Sequence, residues 1–150
     1  MRINLIISYI SLLAKQLLFY RQKVPGTPLL SETRSLGLIM SILLHYYCSV
    51  IESIICFGIT VWFKGTTSGE KTQLEQIVRH ASRIVGDELS SVARLYNVRL
   101  RSRARKIIAD PSHPTNYLFE LLPSGRRYKA IKARTHRFRN SFFPEAILAL

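Results

Sequence analysis

The sequence predicts an all-α protein, a small helical bundle with a basic, partly irregular C-terminal tail. Three observations carry this. No stretch alternates apolar and polar residues with the period of a half-buried strand. Apolar residues recur instead at spacings of three and four through residues 74–85 and 89–108. Prolines and glycines gather between such stretches, where a helix has to stop. The chain has 150 residues and is 47% hydrophobic, which suits one domain with a core and excludes a disordered polyelectrolyte.

Taken in order, residues 1–23 predict a mostly apolar helix ending in "YRQK". Arg2 and the apolar run after it resemble a signal sequence, but "AKQLLFYRQK" follows without a clear small-residue cleavage site. "VPGTPLLSETRS", with two prolines and a glycine, predicts a linker. The expected organisation is therefore an N-terminal helix and linker over 1–35, a helical region over 36–122, and a basic tail over 123–150.

Residues 36–63, "LGLIMSILLHYYCSVIESIICFGITVWF", contain no Lys or Arg and one acid, Glu52. Their length permits a membrane-crossing helix. Ser41, His45, Ser49, Glu52, Ser53 and Thr60, however, recur at spacings of three, four and seven, which is one stripe of a helix. A carboxylate at the bilayer centre is costly. The pattern predicts one helix whose apolar faces pack on the 70–85 and 89–108 helices, with Glu52 on the polar side. The rival reading is a membrane span over about 40–62.

Thr67 with Glu70 three residues later forms a capping-box pattern. The helix it opens carries Leu74, Ile77, Val78, Ala81, Ile84 and Val85 at helical spacing, and Gly86 suits its C-terminus. A further helix is predicted from Leu89 to Ala109, with Leu89, Val92, Leu95, Tyr96, Ile107 and Ile108 as its apolar positions. Pro111 and Pro114 in "DPSHP" end it. "TNYLFELL" predicts a short helix and "PSGRRY" a turn into the tail.

Charge sets the partner class. There are 22 Lys+Arg against 9 Asp+Glu, a net +13. Residues 1–70 hold six bases and three acids, whereas 71–150 hold sixteen bases and six acids. Such a field favours polyanions, nucleic acid first and an anionic membrane surface second. Arg99, Arg101, Arg103 and Arg105 alternate, so on a helix they spread around it and reach phosphates on more than one side. Arg126, Arg127, Lys129, Lys132, Arg134, Arg137 and Arg139 follow with no acid among them. Arginine makes bidentate phosphate contacts, and Tyr128 and Phe138, interleaved in that run, are candidates to stack on unpaired bases. These thirteen residues are the candidate nucleic-acid contacts, for RNA or DNA alike.

Catalytic patterns are missing. The two cysteines, Cys48 and Cys56, form neither a disulfide framework nor a zinc pattern and are expected to be buried free thiols. His45, His80, His113 and His136 begin no His-x-Asp or His-x-x-x-His pattern, which excludes a facial-triad dioxygenase and a zinc helix. There is no Gly-x-x-x-x-Gly-Lys loop and no pair of aspartates placed for two metal ions. Asp87 and Glu88 fit helix capping, and Ser124 fits a turn. No cofactor, metal or small-molecule substrate is expected.

Four segments carry a resemblance: "YYCSVIESIICFGITVWF", "LEQIVRHASRIVG", "RARKIIADPSHPTNYLFELLPSGRRY" and "RTHRFRNSFFPEAI". In order and spacing, over about residues 44–150, they resemble the carboxyl end of LINE-type (non-LTR) retrotransposon polyproteins. In that family the region lies after the reverse transcriptase palm, in the thumb and beyond it. "AKQLLFYRQK" also looks like a helix just upstream in the family. The family's Ala-Asp-Asp metal-binding motif and its endonuclease have no counterpart in these residues, and 24–40 departs from the family pattern. The resemblance thus implies a thumb-like, non-catalytic remnant that binds nucleic acid without sequence specificity. The other readings are a small single-pass membrane protein and a translated fragment without function. A soluble chain would be nuclear or cytoplasmic, and a chain with 40–62 spanning would be in a membrane.

Overall fold

The computed structural model describes residues 7–9, 12 and 40–150. The predicted helix over 1–23 falls within the described set only at Ile7–Tyr9 and Leu12, which are helical, and the 24–35 linker lies outside it. The described chain is all-α, with no strand and one isolated antiparallel bridge, Leu121 to Tyr128. It divides into two compact units. The first holds the described residues up to Phe57 together with Thr67–Val92. The second holds Gly58–Thr66 and Ala93–Leu150.

The first unit is built from α1 (Met40–Cys56) and α3 (Ser68–Val85). Between Tyr47 and Glu52, α1 takes π-helical winding. Its buried side chains, Leu43, Tyr47, Ile51 and Ile55, fall every four residues. On a plain α-helix that spacing drifts round the axis, and the wider i→i+5 turn brings the four closer to one line. Tyr47 is wholly buried and its hydroxyl has no hydrogen-bond partner. Burial first, and then the Glu52 carboxylate, push its pKa far above the ordinary tyrosine range.

Ser41, His45, Ser49 and Ser53 lie on the exposed side of α1. Their polar groups are satisfied by the helix itself: His45 Nδ1 meets the Ser41 carbonyl at 2.7 Å, Ser49 Oγ donates to the His45 carbonyl at 2.6 Å, and Ser53 Oγ to that of Ser49 at 2.7 Å. Ser/Thr bonding back to the preceding turn in this way is a known local option. Glu52 is half-buried. Cys48 is exposed and Cys56 half-buried, neither in a disulfide, so the expectation of buried thiols does not hold. Cys48 follows Tyr47 directly and so leaves the buried row.

The single helix expected over 36–63 is also corrected, for its described part. Phe57 is extended (ψ 110°) and Gly58 takes φ 61°, and a new short helix, α2 (Ile59–Trp62), follows with a 3₁₀ turn at Phe63–Gly65. A side chain at that left-handed position would cost about 1–2 kcal/mol, which glycine avoids. The break places Thr60, the last member of the polar row, in the second unit, where it is buried.

The capping box of α3 is complete. Glu70 N–H donates to Thr67 Oγ1 at 3.3 Å, and Thr67 N–H donates to Glu70 Oε2 at 2.8 Å. Leu74, Val78, Ala81, Ile84 and Val85 are buried and Ile77 half-buried. The helix ends at Gly86 with φ 75°.

In the second unit the long element is α4 (Val92–Ala109). It begins after Leu89, since Ser90 and Ser91 are residues that compete with helical bonding. Its buried row begins at Val92, which belongs to the first unit, and within the second is Tyr96, Leu100, Ala104 and Ile107. Leu100 and Ala104 were absent from the expected row because each stands alone between arginines. After α4 comes a 3₁₀ turn at Asn116–Leu118 in place of the predicted short helix. The chain then doubles back at Gly125 (φ 68°), with Leu122 N–H to the Arg127 carbonyl and Lys129 N–H to the Glu120 carbonyl, both at 2.8 Å. Two helices close the unit: α5 (His136–Arg139), capped by Thr135 Oγ1 accepting from Phe138 N–H at 3.2 Å, and α6 (Phe142–Ala149). Ile59, Phe63, Phe119, Ala146 and Ile147 are buried with the α4 row, and Phe63 stacks on Tyr96 at 4.7 Å.

Candidate nucleic-acid interface

The second unit carries fourteen Lys or Arg against three acids, Asp110, Glu120 and Glu145. All four arginines singled out on α4 are exposed, as are the seven cations of 126–139. The fold sorts the α4 group into two rows at spacings of three, four and seven. Arg94, Arg101 and Arg105 share one side of the helix, and Arg99, Arg103 and Lys106 share another.

Two of these arginines also hold the fold together. Arg101 Nε donates to the Ala149 carbonyl at 3.0 Å, an acceptor at the end of α6. Arg103 donates to Thr60 Oγ1 at 3.3 Å and lies 5.0 Å from the centre of the Phe142 ring. Nearby, Lys64 pairs with Glu145 at 2.8 Å, both half-buried, and its ammonium lies 5.9 Å from the Tyr96 ring centre. Burial, and secondarily Glu145, push the Tyr96 pKa up to about 12.

In the tail, Lys129 pairs with Glu120 at 3.0 Å, with both groups exposed. Arg126, Arg127, Lys132, Arg134, Arg137 and Arg139 are exposed. The two aromatic candidates differ. Phe138 is 44% exposed on α5, whereas Tyr128 is half-buried, edge-on to Phe119 with ring centres 6.1 Å apart.

Tyr117, which no sequence pattern singles out, is 75% exposed. It sits on a fixed mount. The neighbouring Asn116 Nδ2 donates to the carbonyls of Ile107 (2.9 Å), Ile108 (3.2 Å) and Asp110 (3.1 Å), closing the free end of α4. Ser112 donates from hydroxyl and backbone to Asp110, and these bonds hold that carboxyl below the usual carboxylate range. No spacing rule marks Tyr117, since a helical reading of "TNYLFELL" gives it no distinct side.

Among the described residues no three His, Cys, Asp or Glu side chains gather to hold a metal ion. None of the described helices is by itself long and apolar enough to cross a membrane; Met40–Cys56 and Ile59–Gly65 reach that length and composition only as a broken pair. Comparison with family models, with characterised proteins and with solved structures gives no match to this chain.

Proposed function

We propose that this chain holds nucleic acid through phosphate contacts, without sequence specificity and without doing chemistry on it, as a remnant of the thumb and post-thumb region of a LINE-type reverse transcriptase. The observation that carries the proposal is the charge of the second unit, fourteen bases to three acids, with the α4 and tail cations exposed. Each phosphate neutralised releases condensed counterions, so such a surface binds strongly at low salt and weakly at high salt. RNA and DNA are both within this reading, and no small molecule or cofactor is part of it.

The test is fluorescence anisotropy of the full chain against unrelated labelled oligonucleotides over a range of salt. Similar affinities for every sequence, falling linearly on a log–log plot, are expected. Undetectable binding at low salt overturns the reading, as does magnesium-dependent primer extension or iron-dependent turnover of 2-oxoglutarate. A second reading, a membrane protein, is favoured by one observation, the broken apolar pair Met40–Cys56 and Ile59–Gly65. Resistance of the expressed chain to alkaline carbonate extraction would select it.

A further inference from the structure

The aromatic ring that engages a base is Tyr117, we infer, and the ligand class of the basic unit is therefore single-stranded nucleic acid with unstacked bases. This rests on the nucleic-acid reading above and deepens it. A base can stack on a side chain only where a face of the ring is open, and the described second unit leaves two aromatic rings substantially open, Tyr117 at 75% and Phe138 at 44%. Tyr128 is committed to Phe119.

Tyr117 is also held in place. Its backbone lies in the 3₁₀ turn Asn116–Leu118, with Leu118 N–H bonded to the Thr115 carbonyl at 3.2 Å and Phe119 N–H to that of Asn116 at 3.0 Å. The Asn116 amide ties the turn to the end of α4, directly after Lys106. With the turn so tied, the backbone beneath the ring loses little freedom when a base lands on it. Cations come from both directions along the chain: Arg105 and Lys106 precede the end of α4 at Ala109, and Arg127 returns beside Leu122 through the paired backbone. The nearby acids are both engaged, Asp110 by Ser112 and Glu120 by Lys129. Paired bases within a duplex expose no stacking face, so this arrangement discriminates by strandedness and not by sequence, in the manner of aromatic platforms set in basic grooves.

The experiment titrates the full chain against a labelled single-stranded oligonucleotide, a hairpin duplex of the same composition, and an abasic strand of the same length. Tyr117→Ala is expected to weaken single-strand binding at least ~5-fold and to leave duplex and abasic binding unchanged. Tyr117→Trp is expected to keep single-strand affinity. An equal loss on the abasic strand, no loss on the single strand, or tighter binding of the duplex by the unaltered chain overturns the inference while leaving the phosphate-binding proposal standing. No binding of any probe at low salt removes both. Circular dichroism of each variant checks the fold, which the replacement of an exposed residue is expected to preserve.

Discussion

The two units are both helical and opposite in surface charge. In the first, the described residues carry three Lys or Arg, namely Lys71, Arg79 and Arg83, against five acids. In the second the ratio is fourteen to three. The first hides an apolar row on each helix and shows a self-satisfied polar face on α1. The second interleaves its core with arginines, and Arg101 and Arg103 serve the fold and the surface at once. The contrast teaches that net charge belongs to a unit and not to the chain, so a test of binding has an internal control.

The largest effect is expected from charging the first unit's core. Ile51 is wholly buried and Ile54 half-buried. Ile51→Asp should destabilise by more than ~3 kcal/mol, since a buried unpaired charge finds no compensation. Ile54→Asp should cost less than half as much. Urea denaturation followed by circular dichroism checks the pair, and equal effects would contradict the row through Leu43, Tyr47, Ile51 and Ile55.

Next is the salt response. If all seven cations of 126–139 engage one strand, log affinity should fall with log salt at a slope of about −5, and Arg126, Arg127 and Arg137 changed together to Ala should flatten it by about 2. Arg79→Ala, in the first unit, should leave the slope unchanged. A slope that moves with Arg79 and not with the triple variant would reverse the contrast between the units.

Gly58→Ala should cost about 1–2 kcal/mol by forcing a side chain into the left-handed region, while the added methyl meets only Trp62 Cδ1 at 3.9 Å. A thermal melt reads this directly. The two buried tyrosines give a pH test. Their folded pKa values are raised, so their contribution to stability is full below pH ~10, the unfolded value, and is lost as pH rises further. For Tyr96 the loss runs from pH ~10 to about 12. Tyr47→Phe should be neutral or stabilising by up to ~1 kcal/mol, since the hydroxyl it removes has no partner. It should also shrink the decline in stability above pH 10 seen in denaturation curves.

A similarly small effect is expected of Arg103→Ala, about 0.5–1 kcal/mol through the lost contacts with Phe142 and Thr60. Arg99→Ala, with no such contact, should be close to neutral in the same melt.

Local signals were the legible part of this sequence. The Thr67–Glu70 box, the Gly86 terminus and the α3 row are each set by residues within one turn of each other, and the α3 row was readable position by position. The break at Gly58 was not, because the apolar run continues across it and a lone glycine inside such a run weakens a helix without ending it. The burial of Leu100 and Ala104 depends on which side of α4 meets the rest of its unit, and arginines on either hand disguise it. For the candidate site, the charge was legible and the exposure of the aromatic rings was not. Tyr117 and Tyr128 differ in exposure because backbone pairing between 120–122 and 127–129 carries Tyr128 to Phe119, a contact between residues nine apart in sequence.

The interleaving of the two units sets an order on synthesis. Gly58–Thr66 leaves the ribosome well before the helices that complete its unit. Thr60 meets Arg103 forty-three positions later, and Arg101 meets Ala149 after another forty-eight. At ~5–20 residues per second, α2 waits on the order of ten seconds for α6. Closing loops of this size costs little at equilibrium, since each doubling adds only about 0.6 kcal/mol. The delay is kinetic: Phe63 stays open to solvent and chaperones at least until Tyr96, on which it stacks, has emerged.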